Sequence, residues 1–386
     1  MEYFKRRYLI NGPIGTVFLF IYNYFLIDIL FRYINYQLNP VVLLSICLFL
    51  ALVNIISITV EMNASHKITR IFMEISELWK WASLMFLFEL ILLYVLGLFI
   101  KIPRELVLIL YSLVIVLGVY GYYNAHHIKV KYHNLPILKE DNNESIAILH
   151  ISDVHFGSIR RESILVNLKN KINQVYLDLK QEGIEHIIVI ISGDLVDGSS
   201  PVNIEDLKPL KDIKPKVIFT PGNHDHYQDI NGLLNDLEEL GVIVLNGDSL
   251  DMKDLGLNII GLDFKYEDME GKWEECHFNL PVNKSETNIL IFHLPIFYEY
   301  FKKLGVDLQL SGHTHGGQFY PANLWVKAVY HKLKGLYAFS NYDVSDGFYL
   351  SVSTGLGTMG PPIRIGTDSE IVVLMLNNKN FKNSFF

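Results

Sequence analysis

The sequence predicts a four-helix membrane region followed by a layered α/β domain, and three observations carry that expectation. Apolar residues make up 50% of the 386-residue chain but concentrate at its front. Four apolar runs there are each about long enough to cross a hydrocarbon core of ~30 Å as a helix. Beyond them, short runs rich in Ile, Val and Leu alternate with segments whose apolar residues recur at helical spacing, the pattern of α/β layers.

The four runs are Pro13–Phe31, Pro40–Val60, Trp81–Ile100 and Leu106–Tyr123. A signal peptide does not account for them, because the first run is too long, no small-residue cleavage site follows it, and three more such segments come after. Asp28 lies near the end of the first run and Glu89 lies inside the third. Ionisable residues at such depth are either functional or hydrogen-bonded helix contacts. The contact reading is favoured, since no ladder of charges suggests a transport path. Flanking cations set the orientation. Lys5, Arg6, Arg7, Lys67, Arg70, Lys80, Lys129, Lys131 and Lys139 fall on one side, against Arg32, Lys101 and Arg104 on the other. Four crossings then place the N-terminus and the domain that follows together in the cytoplasm.

Charge divides at the same boundary. Residues 1–135 hold eleven Lys or Arg against seven Asp or Glu, whereas residues 136–386 hold 22 against 34. So acidic a domain is a poor electrostatic match for a nucleic-acid backbone, and nucleic acid is not expected as a partner. Cys47 lies inside the second apolar run and Cys276 far beyond it. No disulfide framework is implied, which is compatible with a reducing compartment.

Residues 126–145, with Pro136 and the polar run Lys139–Glu144, read as a linker between a membrane region at 1–125 and a domain at 146–386. Within that domain, strands are expected at Ile146–Ser152, His186–Ser192, Lys216–Thr220, Asn288–Phe292 and Leu308–Ser311. Helices are expected at Arg161–Glu182 and Ile230–Leu240, the latter closed by Gly241. The stretch Pro321–Asn341 is different in kind, with Leu324, Trp325, Val326, Val329 and Tyr330 interspersed with Lys327, Lys332 and Lys334. It reads either as an amphipathic segment on a membrane surface or as core packing beneath a loop.

Each expected strand ends in a polar cluster. These are Asp153-Val154-His155, Gly193-Asp194, Gly222-Asn223-His224-Asp225, a lone His293, and Gly312-His313-Thr314-His315. The C-terminal ends of strands are where open α/β sheets gather their ligands. The spacing in Asp153-Val154-His155 and His313-Thr314-His315 suits an extended segment, in which residues two apart point the same way. Alone, any one of these residues is weak evidence. Their joint order is not.

On these five clusters the sequence resembles the calcineurin-like metallophosphoesterase superfamily, whose pattern is D-x-H, G-D, G-N-H-[DE], an isolated H, and G-H-x-H. The resemblance runs from Ile146 to Leu376. Thr354-Gly355-Leu356-Gly357 and Gly360-Pro361-Pro362-Ile363-Arg364 are similar to the tail of a membrane-associated bacterial branch that includes lipid-acting diphosphatases. The resemblance implies a four-layer α-β-β-α sandwich holding two divalent metal ions. Asp153, His155 and His315 then correspond to ligands of the first metal, Asn223, His293 and His313 to ligands of the second, and Asp194 to the bridge. A mixed N/O donor set without thiolate suits Mn, Fe, Zn or Co.

His224 has no metal in this scheme, and is expected to bind the phosphate and protonate the leaving oxygen. Asp225 is expected to orient that imidazole. Arg364, after two prolines, either presents a guanidinium to a second phosphate or holds its own loop by a salt bridge. His226, His126, His127 and His133 are expected to lie outside the ligand set. The activity implied is hydrolysis of a phosphodiester or pyrophosphate bond by a metal-bridging hydroxide, on a lipid-linked substrate drawn from the membrane. Action on soluble nucleotides or nucleic acid, and a non-catalytic regulatory metal-binding module, are the alternatives.

Overall fold

The computed structural model describes residues 2–139, 145–161, 163–263, 279–339 and 347–378, with side chains from residue 12 onward. Four long helices come first: α1 (Glu2–Tyr33), α2 (Pro40–Glu61), α3 (Lys67–Gly97) and α4 (Arg104–His126). All four are long and apolar enough to cross a membrane. Pro40 opens α2 at a position where its missing N–H costs nothing, and the Asn39 side chain accepts from the Val41 N–H. Polar contacts join the helices. Trp79 Nε1 donates to Asn23 Oδ1 at 2.9 Å, and Asn54 Nδ2 donates to Ser76 Oγ at 2.9 Å. Asp28 pairs with Arg32 at 2.6 Å near the end of α1, as its position there suggests. Glu89 Oε2 is buried without a hydrogen-bond partner among the described residues.

α3 begins at Lys67, fourteen residues before the apolar run that marks it in the sequence. Hydropathy reports the part of a helix that lipid surrounds, not where the helix ends. In the extra turns Glu74 Oε1 accepts from the Tyr122 hydroxyl of α4 at 2.7 Å, and Glu77 lies beside Gly360 of the following domain.

The remaining elements are β1 (Ile128–Leu138), β2 (Ile146–Ile151), α5 (Ile164–Gln181), β3 (His186–Ser192), the single turn α6 (Ile204–Leu207), β4 (Lys216–Thr220), α7 (Ile230–Glu239), β5 (Ile243–Val244), β6 (Ser249–Met252), β7 (Leu257–Gly261), β8 (Thr287–Ile291), α8 (Tyr298–Leu304), β9 (Leu308–Ser311), α9 (Ala322–Val329), β10 (Gly335–Phe339), β11 (Phe348–Val352) and β12 (Ser369–Asn378). They form two six-stranded sheets, in the orders β1-β12-β2-β3-β4-β5 and β10-β11-β9-β8-β7-β6. β2 to β5 run parallel in the first sheet, and β11, β9, β8 and β7 run parallel in the second.

The central strands are largely apolar because both faces of each sheet are covered. Ile146, Ile148, Ile188, Ile190 and Ile218 pack against Ile259, Ile289, Ile291 and Leu310 between the sheets. Ala147, Leu149, Val189 and Phe219 face the other way, onto Leu168, Ile172 and Val175 of α5 and Leu233 and Leu237 of α7. Phe292, Leu290 and Leu350 cover the outer face of the second sheet together with Phe301 of α8. The result is the four-layer α-β-β-α sandwich that the resemblance implies.

The stretch expected to be a linker is, over most of its length, the edge strand β1. It pairs in parallel with β12 from Ile128 to Leu138, one residue after α4 ends. Pro136 is tolerated there because an edge strand needs no donor on its outer side, and the register shifts between Leu135 and Leu138. Lys131 reaches Glu370 at 2.6 Å and Lys129 reaches Asp368 at 2.7 Å, so two of the cations that follow the fourth apolar run form ion pairs along the β1–β12 edge. The rest of that linker, from 140 to 144, lies outside the described residues.

Candidate metal centre

Five parallel strands, three from one sheet and two from the other, end at a common rim. β2 delivers Asp153 and His155, β3 Asp194, β4 Asn223 and His224, β8 His293, and β9 His313 and His315. The turns interlock through the backbone. Asp153 N–H donates to Gly193 O at 3.1 Å, His155 N–H to Asp194 O at 3.1 Å, and Gly312 N–H to His293 O at 2.9 Å. At Gly193, with φ of +91°, a Cβ would come within 2.5 Å of His293 Nδ1, so only glycine lets that imidazole approach.

The extended geometry expected of the Asp-x-His and His-x-His pairs is absent. Asp153, His155, Asp194, His313 and His315 all have positive φ, between 48° and 69°. Non-glycine residues seldom adopt this left-handed conformation, and it gathers at functional sites. Here it turns the chain sharply after β2, β3 and β9. Both members of each pair thereby point inward from a tight loop.

The donor atoms fall into three groups, each within 4.8 Å: Asp153 with His155 and His315, Asp194 with His293 and His313, and His155 with Asp194 and His224, which links the other two. Asn223 joins the second group, its Oδ1 lying 2.9 Å from His313 Nδ1. Asp194 Oδ2 stands 3.1 Å from His293 Nε2 and 3.8 Å from His155 Nε2, between the two groups. His155 Nε2 and His315 Nε2 face each other at 3.0 Å.

His293 tests whether this site fits a cation. Its Nδ1 is 2.7 Å from Ser192 O, which only an N–H on that nitrogen satisfies. The neutral ring therefore aims a lone pair from Nε2 at Asp194 Oδ2, with Asp153 Oδ1 at 3.9 Å, and that buried nitrogen makes no well-formed hydrogen bond among the described residues. A lone pair facing carboxylates is repulsive unless a cation lies between them. In its absence a proton serves: burial lowers the imidazole pKa, but Asp194 and Asp153 outweigh burial and hold it at about 10. Burial, reinforced by His224, pushes His155 down to about 3, and burial with His293 does the same to His313. These imidazoles are neutral, as ligands must be. Burial raises Asp153 to about 6. Neutral imidazoles, one amide oxygen and two carboxylates fit a pair of divalent ions.

Residues 146–317 match the family model described as calcineurin-like phosphoesterase. The chain belongs to the calcineurin-like metallophosphoesterase superfamily. An uncharacterized metallophosphoesterase of Helicobacter pylori (strain ATCC 700392 / 26695) is 31% identical over 250 residues, which are 64% of this chain and 63% of that protein. The match thus spans just under two thirds of that relative's length. One from Aquifex aeolicus is 28% identical over 276 residues, 69% of this chain and 98% of that protein. A Danio rerio protein described as a transmembrane protein with metallophosphoesterase domain is 27% identical over 283 residues, 68% of this chain and 60% of that protein. That superfamily is one of phosphoesterases and normally uses divalent metals.

His224 sits at the edge of the centre, its donor atom within 4.8 Å of those of His155 and Asp194. Its Nδ1 lies 3.2 Å from the backbone carbonyl of Asp197, which fixes the proton on Nδ1 and turns Nε2 to the site. The expectation that Asp225 orients this ring is therefore wrong. Asp225 is fully buried and accepts from the N–H groups of Asp194 (2.9 Å), Val196 (3.0 Å) and Gly222 (2.8 Å). Its carboxylate clamps the β3 and β4 turns together through these three N–H groups, and the His224 ring is not among its partners.

Arg364 is also reassigned. Its guanidinium is fully buried, donating to the carbonyls of Thr354 (2.7 Å), Gly355 (3.1 Å) and Gly357 (2.5 Å) and to Thr367 Oγ1 (3.3 Å). It holds its loop, through carbonyls instead of a salt bridge, and presents nothing to a phosphate. His226 pairs with Asp263 at 2.8 Å, outside the ligand groups as expected. Tyr330 was not legible in the sequence: its hydroxyl lies 2.9 Å from His313 Nε2, and no motif spacing marks a residue seventeen positions downstream.

Proposed function

We propose that this protein is a membrane-anchored hydrolase of a phosphodiester or pyrophosphate bond carried on a lipid. The observation that carries the hydrolytic reading is the pair of donor groups with Asp194 reaching both. Asp153, His155 and His315 would hold one metal, Asn223, His293 and His313 the other, and Asp194 both. Two such ions supply a nucleophile at neutral pH and offset the charge of the phosphoryl oxygens.

The chain's own residues do the rest. His224 receives its orientation from Asp197 O and, in its doubly protonated form, delivers the Nε2 proton to the leaving oxygen while Nδ1–H stays on that carbonyl. Ser192 O holds His293 in its ligand tautomer. The Asp225 clamp keeps Asp194 in register with Asn223.

The lipid part of the reading is supported by the four apolar helices and by the rigid join of α4 to β1, which holds the centre close to the bilayer. An acyl-bearing substrate met there need not leave the bilayer, where burial is worth about 0.8 kcal/mol per methylene. The Lys and Arg asymmetry supports a cytoplasmic centre.

Protein prepared without chelator should contain about two metal ions per chain and should hydrolyse bis-p-nitrophenyl phosphate, with both properties lost in Asp194→Asn. A metal-free or inert wild-type protein overturns the hydrolytic reading. Incubation with a lipid extract beside a panel of soluble nucleotides, followed by mass spectrometry of the phosphate-containing products, tests the lipid reading. Turnover of soluble compounds alone overturns it.

A further inference from the structure

We propose that α9 and the residues beside it dock into the interface of the bilayer, next to α3 and α4, and so hold the mouth of the metal centre at head-group depth. The inference deepens the lipid-substrate reading above and rests on it for its function, but not for its geometry.

The first observation is an unpaired apolar surface. Trp325 is 78% exposed, Val329 62%, Leu324 61%, Met359 58% and Tyr320 55%. These are five of the eight large hydrophobic residues that are exposed among the described residues after α4, the others being Val166, Leu177 and Tyr227. On an eight-residue helix, Leu324, Trp325, Ala328 and Val329 share one face. Contiguous apolar exposure of this kind marks an interaction surface.

The second observation is where this surface sits. Phe319, Ile363 and Ile365 belong to one apolar cluster with Trp81 of α3 and Val114 and Leu117 of α4. Arg364 N–H donates to Gly121 O at 2.9 Å, and Asn124 Nδ2 donates to the carbonyls of Arg364 (3.2 Å) and Thr367 (2.7 Å). Gly121 lies about 26 Å along α4 from Arg104 at 1.5 Å per residue, within the ~30 Å of a hydrocarbon core. The loop at 363–365 therefore meets α4 at the edge of the bilayer. Tyr320 packs beside Gly366 of that loop, and α9 follows directly.

The third observation is that α9 cannot fold away. Asn323 packs on Gly317, Thr314 Oγ1 donates to Leu333 O at 2.6 Å, and Lys334 Nζ donates to Gly366 O at 2.6 Å. Both ends of the segment are tied to the turn that carries His313 and His315. α9 is thereby held in place with Leu324, Trp325 and Val329 exposed. Lys327 on the same helix is exposed and long enough to extend to lipid phosphates while its stem lies in the apolar zone.

The experiment uses the full chain reconstituted in phospholipid vesicles. In a Cys47→Ala, Cys276→Ser background, a bimane label is placed by Trp325→Cys or, as a control on α5, by Leu177→Cys, and the melting temperature of each variant confirms folding. Phospholipids brominated along the acyl chain should quench the label at 325 several-fold more than the label at 177, which aqueous iodide should quench instead. Iodide quenching at 325 without bromolipid quenching overturns the proposal. Protection from both quenchers, with a doubled mass in mass photometry, also overturns it, since a second copy then covers the face. The readout needs no substrate. A lipid-buried label on a protein that turns over no lipid would leave the docking in place and sink the lipid-substrate reading, and an aqueous label on a lipid-active enzyme would do the reverse.

Discussion

The Tyr330 hydroxyl lies 2.9 Å from His313 Nε2, while Nδ1 of the same ring lies 2.9 Å from Asn223 Oδ1. For Nδ1 to act as a ligand beside Asn223, the ring proton must sit on Nε2 and be donated to Tyr330. Tyr330 is thus a positioning residue, and it stands at the C-terminal end of α9.

Tyr330→Phe is expected to weaken binding of the second metal by about 10- to 100-fold, the usual effect of removing a partner of a ligating histidine. Competition with a chelator of known affinity reads this directly. Unchanged affinity with an unchanged melting temperature would mean that the hydroxyl does not set the tautomer.

His224→Asn should retain both metals while kcat falls by about 10²- to 10⁴-fold, the range of general acid catalysis. Loss of metal together with activity would place His224 among the ligands.

Asp225→Ala strips the partner from three buried N–H groups, each costing about 1–3 kcal/mol when unsatisfied. The metal-free variant is expected to lose about 3 kcal/mol or more in a denaturant titration. A variant as stable as the wild type, but slower, would restore the catalytic role that the fold denies it.

His293, held at about 10, carries a proton at neutral pH in the metal-free protein. A metal must displace that proton, so binding strengthens as pH rises and weakens as it falls. Between pH 7 and 9 the gain from this one proton is expected to approach about tenfold per unit. Its linkage to folding runs the other way: the raised pKa stabilises the metal-free protein fully below about pH 6.5 and the contribution disappears as pH passes 10. Calorimetry in buffers of different ionisation enthalpy counts the released protons, and a count of zero at pH 7.5 would be incompatible with a protonated His293.

The sequence by itself determined what depends on neighbours along the chain. Apolar runs of about twenty residues define the four helices long and apolar enough to cross a membrane, because the length and composition that lipid requires are local properties. β2, β3, β4, β8 and β9 begin and end within a residue or two of their apolar runs, and the polar residues after them mark the rim, since a strand buried on both faces leaves no other place for charge. Tertiary structure alone decided what depends on contacts across the chain. Ile128–Leu138 is polar enough to pass for a linker until β12, more than two hundred residues later, supplies its partner. Asp225 and Arg364 carry the charges of a catalytic base and a phosphate clamp, yet the N–H groups and carbonyls that surround them come from loops the sequence does not place together. Burial turned both to structural use, because a buried charge is tolerated only where hydrogen bonds replace water.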